Sequence, residues 1–151
     1  MTKVGGTALA LVAAVVVLVV MAWFDTTVVQ DAARQAAQTF DSSQYALIAS
    51  FGMIMIAGAV LLLSLFAWRS GSVAVGILYA AVGAYFAFQL WIYTYLSGQL
   101  PQPLATAVVN INTATLGPLN AVGVVGGGML IAGVAVLTRS FRERPGVSTP
   151  G

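Results

Sequence analysis

Four apolar runs decide what this chain can fold into. They cover roughly residues 7–24, 45–68, 72–96 and 118–138, each is at least 18 residues long, and none contains a charged side chain. About 20 helical residues at 1.5 Å rise cross a 30 Å hydrocarbon core. A soluble bundle would interrupt such runs with a polar stripe every 3.6 residues, and these runs show none. Only 7% of the 151 residues are charged, against about 25% in a soluble domain. The expected fold is therefore all-α, a single domain of four transmembrane helices in an up-down-up-down bundle. The first run also resembles the apolar part of a cleaved secretory signal, but it is longer than the usual 7–15 residues, and a retained span is expected.

Lysine and arginine set the expected orientation. Lys3, Arg69, Arg139, Arg142 and Arg144 fall on one side of a four-span chain, and Arg34 alone on the other. By the positive-inside rule both termini face the cytoplasm, so the expected location is a bacterial inner membrane. Loops 25–44 and 97–117 then lie outside, and 139–151 form a flexible basic cytoplasmic tail. Trp23, Phe24, Tyr45, Trp91, Tyr93 and Tyr95 would form an outer aromatic belt, with Phe66, Trp68 and Phe141 at the inner interface.

The connections carry further signals. Arg69-Ser70-Gly71-Ser72 is a tight turn that makes the second and third spans neighbours. In the first outer loop, Val28, Val29, Ala32, Ala33, Ala36, Ala37 and Phe40 fall on one helical stripe, opposite Asp31, Arg34, Gln35 and Gln38. This predicts a short amphipathic helix that lies in the outer interface or prolongs the first span. In the second outer loop Pro101 and Pro103 end the third span. The following apolar stretch, broken by Asn110, Asn112, Thr113 and Thr115, reads as a surface helix, with a re-entrant segment as the alternative.

The fourth run contains Gly123, Gly126, Gly127, Gly128 and Gly133, with Ala121 and Ala132. Inside lipid, helices associate through close packing, and small residues permit it. Gly76, Ala80 and Gly83 form a matching stripe on the third run. Gly123, Gly126, Gly127, Gly128, Ala132, Gly76, Ala80 and Gly83 are thus the candidate helix-packing positions. The competing reading is an unwound point at Gly126–Gly128 where a ligand meets the backbone.

Polar groups within or beside the spans are few. Gln89, Tyr85, Asn110, Asn112 and Asn120 are the candidates for a polar lining, and for Gln89 an interhelical hydrogen bond is the simpler expectation. No Asp, Glu, Lys, Arg or His lies within the four runs, which argues against a proton relay or a charged-substrate site. The sequence has no histidine and no cysteine, so no metal, haem or other cofactor is expected from this chain's own ligands. Six basic residues spread along the chain make no nucleic-acid-binding patch. The aspartates lack a histidine or lysine partner, so no catalytic residues are expected.

These features predict a non-catalytic accessory or scaffold subunit of a larger bacterial membrane complex, in an energy-conversion or transport assembly. Its partners would be membrane lipid and other membrane subunits, with homo-oligomers as a further option. The alternative is a homo-oligomeric pore or carrier for a small neutral or lipophilic solute.

Overall fold

A computed structural model describes residues 3–142, with side chains from Gly5 onward. Among the described residues every regular element is helical. The part of the expected tail beyond Arg142 lies outside the described residues.

Helix α1 (Lys3–Trp23) passes through a wide π turn (Phe24–Val29) into α2 (Gln30–Thr39). Gly5–Thr39 is one helix of 35 residues, roughly 50 Å long at 1.5 Å per residue. The predicted amphipathic stripe is present in part: Val29 and Ala32 are buried and Val28, Ala33 and Ala36 are half-buried, whereas Ala37 and Phe40, at the end of the helix, are exposed. It prolongs α1 in line, so most of the stretch expected as an outer loop is helix. Phe40 ends α2 with φ 56°, a conformation uncommon outside glycine and asparagine. The chain then restarts through Asp41, whose carboxylate accepts from the Ser43 N–H at 2.9 Å. Hydrogen bonds from the Ser43 N–H and hydroxyl hold the Asp41 carboxyl below the usual aspartate value.

Helix α3 (Ser43–Ser70) buries Gly52, Ile56, Ala59, Leu63, Ala67 and Ser70, a stripe stepping by three and four. It ends at Gly71, whose φ of +55° is a left-handed C-cap that glycine adopts at the least steric cost. Helix α4 (Val73–Ala87) follows. The third apolar run is not one straight span. It bends by 54° at Phe88 between Val73–Ala87 and Gln89–Gln99. Beyond the bend come a short turn, α5 (Gln89–Trp91), a second π turn (Ile92–Leu96) and a 3-10 turn (Ser97–Gln99). Here the hydroxyls of Thr94 and Ser97 bond to the carbonyls of Leu90 and Tyr93. Side chains that bond their own backbone in this way commonly bend helices. Helix α6 (Gln102–Thr115) turns Ala105, Val108, Asn112 and Thr115 inward.

Helix α7 (Ala121–Arg142) is helical through Gly126–Gly128, so the glycine run is not unwound. Half of its most apolar stretch is buried, against 22% for the first and second candidate spans, which places it at the centre of the bundle. Its main partner is α4. A Cβ added at Gly133 would sit 2.7 Å from the Gly76 carbonyl oxygen and 2.5 Å from the Ala80 nitrogen. One added at Gly126 would sit 3.1 Å from the Gly83 oxygen, and one at Gly83 would sit 2.6 Å from the Gly126 oxygen. The two pairs stand seven residues apart on each helix, so they recur on the same face after two turns. Gly128 faces Val60 of α3, and Ala132 is buried. A Cβ on Gly127 would meet nothing within 4 Å, and one on Gly123 would strike the Asn120 side chain. The Tyr79 hydroxyl, buried in α4, donates to the Ala10 carbonyl of α1 at 2.8 Å.

The perimeter is apolar. Val12, Val15, Val19, Leu47, Ile54, Leu61, Leu65, Ile77 and Ile131 are all more than half exposed. Three helices are long and apolar enough to cross a membrane, and the bent pair makes a fourth if it is one span.

Candidate functional site

The polar side chains gather where α1 meets the start of α7, at the end of the bundle opposite the Gly71 turn. Asp25 is the first of them. It lies in the stretch Phe24–Val29, where the local sequence favours a wide turn. The hydroxyls of Thr26 and Thr27 bond back to the carbonyls of Ala22 and Trp23, and the run Thr26-Thr27-Val28-Val29 is β-branched, with poor helix propensity. The Gln30 N–H reaches back five residues to the Asp25 carbonyl. The widened turn rotates the Asp25 side chain into the bundle.

There Asp25 is completely buried. One carboxylate oxygen accepts from the Leu119 N–H at 2.9 Å, and the other from the Ala121 N–H at 2.8 Å. Ala121 opens α7, whose first N–H groups lack partners within their own helix. Asp25 thus caps α7 from a helix nearly a hundred residues away, and its charge lies at the positive end of the α7 dipole. Gly117 makes the approach possible, because a Cβ there would sit 2.7 Å from the Asp25 carbonyl oxygen and overlap the carboxyl group. Asn120 closes the turn at φ 48°, donating its N–H to the Gly117 carbonyl at 3.0 Å. Asparagine tolerates this left-handed region better than most residues.

Gln89 extends the network across the bend in the third run. Its amide nitrogen donates to the Asn120 side-chain oxygen at 3.1 Å, and its oxygen lies 3.0 Å from the Thr115 hydroxyl. That hydroxyl is also 2.7 Å from the Ile111 carbonyl, so its one hydrogen is shared. Gln89 is 2% exposed. Asn112 is also buried, one turn before Thr115 on the inward side of α6, and its side-chain oxygen has no hydrogen-bond partner.

Of the five residues singled out as a polar lining, Gln89 and Asn120 are therefore bonded to each other. Asn112 is buried on the same helix as Thr115, the second partner of Gln89, and Asn110 is exposed on the outside of α6. Tyr85 lies elsewhere, edge-on to Phe86 at 5.2 Å. With Ala84, Phe88, Trp91, Ile92 and Leu96 it lines an open apolar hollow of about 600 Å³ beside the bend. Sequence reasoning missed Asp25, Thr115 and Gly117. Asp25 directly follows the first apolar run and reads as the first residue of a loop. Its usable signal was the Asp-Thr-Thr-Val-Val stretch, which disfavours a regular helix.

The arrangement holds and orients backbone. Both carboxylate oxygens of Asp25 and both amide groups of Gln89 meet partners within the chain. Among the described residues no three His, Cys, Asp or Glu side chains come together as a metal site would need. Compared with known proteins, the chain matches no family model, no curated protein and no solved structure.

Proposed function

We propose that this chain is a non-catalytic accessory or scaffold subunit of a larger bacterial membrane complex, of the energy-conversion or transport kind. In this reading it crosses the inner membrane four times with both termini cytoplasmic, and the bent pair α4–α5 is one broken span. The observation that carries the reading is the use made of the buried polar groups. Asp25, Gln89 and Asn120 serve as fasteners between helices of this chain, which suits a rigid bundle that others assemble on. Gly76, Gly83, Gly126, Gly128 and Gly133 also face the chain's own helices, so other subunits would dock through the apolar perimeter and not through the glycine faces.

The test is the composition of the intact particle extracted gently from its native membrane. Foreign subunits in fixed stoichiometry support the reading, and a lone monomer or pure homo-oligomer overturns it. The second reading, a homo-oligomeric pore or carrier, draws on the buried, unpartnered Asn112 oxygen. It requires solute flux that is altered by Asn112→Leu.

A further inference from the structure

At the end of the bundle that carries the Gly71 turn, two hollows adjoin. One, of about 460 Å³, is lined by Arg69, Ser70, Gly71, Arg139 and Ser140, with Trp68 and Val136 at its apolar side. The second, of about 500 Å³, is lined by Ala135, Thr138 and Arg142 and shares Trp68 and Arg139 with the first. Among the described residues, the lining of the first contains two guanidinium groups and no carboxylate. The Arg139 guanidinium lies over the Trp68 ring, 4.8 Å from its centre, a cation–π contact that fixes the direction of the fork. The Ser70 and Ser140 hydroxyls donate to the carbonyls of Ala67 and Val136, so their hydrogens are used within the chain and the donors left for an anion are the guanidinium groups. Thr138 donates to the Val134 carbonyl, leaving the second hollow a largely hydrocarbon wall.

We propose that these paired hollows bind one anionic diacyl phospholipid, with its phosphodiester held between Arg69 and Arg139 and an acyl chain laid along Ala135 and Thr138. Planar guanidinium forks suit phosphate oxygens, which they meet two at a time. Tryptophan belongs at the headgroup level, where one part of the ring is apolar and the other wet. The polar hollow alone would fit a free phosphate. The adjoining apolar hollow, sharing two residues with it, points to phosphate carried on a lipid. The site depends on membrane insertion but not on the accessory-subunit reading.

Trp68 supplies the probe. The full chain carrying Trp23→Phe and Trp91→Phe keeps Trp68 as its only tryptophan. It is reconstituted in phosphatidylcholine vesicles containing equal fractions of either dibrominated phosphatidylglycerol or dibrominated phosphatidylcholine. The anionic quencher is expected to associate with Trp68 in preference to the neutral one, and Arg69→Gln and Arg139→Gln are each expected to weaken that preference about five-fold, the scale of one arginine at an anionic surface. Lys3→Gln with Arg144→Gln removes as many charges as the two hollow substitutions combined, elsewhere in the sequence, and is expected to leave the preference in place. Equal quenching by both lipids in the starting protein overturns the site without recourse to any variant. A preference that survives removal of both hollow arginines, or falls as far in the charge-matched control, also overturns it. Equal quenching by the two lipids together with a change in Trp68 emission on adding millimolar inorganic phosphate, lost in Arg139→Gln, assigns the hollow to phosphate alone and overturns the lipid.

Discussion

Replacing Asp25 by asparagine keeps the shape of the side chain and removes one acceptor. In the native protein both oxygens accept, from Leu119 at 2.9 Å and from Ala121 at 2.8 Å. In Asp25→Asn, one of these buried N–H groups must face an NH₂ group whichever way the amide turns. An unsatisfied buried donor costs about 1–3 kcal/mol. Loss of the charge at the start of α7 adds about 0.3–1 kcal/mol, and up to about 2 where the site is shielded from water. The sum, about 1.3–5 kcal/mol, is a shift of roughly 8- to 4,000-fold in the unfolding equilibrium. Unfolding by sodium dodecyl sulfate in mixed micelles, followed by circular dichroism, reads it. Asp31→Asn is the control, because its pair with Arg34 is long, at 3.5 Å, and exposed; such pairs contribute about 0–1 kcal/mol. Amide exchange should quicken at Leu119 and Ala121 before it quickens in the middle of α7. An Asp25→Asn protein as stable as the control refutes the capping role.

The glycines divide by what they touch. Gly83→Ala drives a Cβ against the Gly126 oxygen and is expected to cost about 1–3 kcal/mol or more in the same assay. Gly127→Ala meets nothing and should stabilise by up to about 1 kcal/mol through helix propensity alone. Gly117→Ala should resemble Asp25→Asn in stability and in exchange at Ala121, because its Cβ displaces the Asp25 carboxylate. Tyr79→Phe should lose about 0.6–2 kcal/mol, the range for a hydrogen bond between membrane helices, again read by detergent unfolding. Asp41 should titrate below an ordinary aspartate in a carbon-detected NMR titration. Its capping contribution is present above the ordinary aspartate value and lost as the pH falls through the lowered one, and Asp41→Asn should remove that dependence.

Much of this architecture was legible because the strongest signals were long. Uninterrupted apolar runs marked α3 and α7 to within a few residues, and the Arg69–Ser72 turn fell where Gly71 ends α3. The alternation of alanines after Val28 announced α2, although composition alone could not show that it continues α1 without a break. The bend at Phe88 was hidden. No proline or glycine marks it, and the interactions beside it, Gln89 with Asn120 and Thr115, join residues 26 or more positions apart. Asp25 was hidden for the same reason: a charge beside an apolar run reads as a loop until its partners, more than ninety residues away, are known. Gln89 was foreseen as an interhelical fastener because an amide inside an apolar run has few other fates.

The native sequence contains no cysteine, so each single cysteine introduced reports its own side of the membrane. The decisive measurement is labelling of Ser42→Cys, Ser72→Cys and Gln99→Cys proteins in intact cells with a membrane-impermeant maleimide. Four crossings with the bent pair as one span require Ser42→Cys and Gln99→Cys to label from outside, and Ser72→Cys to label only after the membrane is opened. If Gln99→Cys behaves like Ser72→Cys, the third run enters and leaves on one side, and the four-span bundle is wrong.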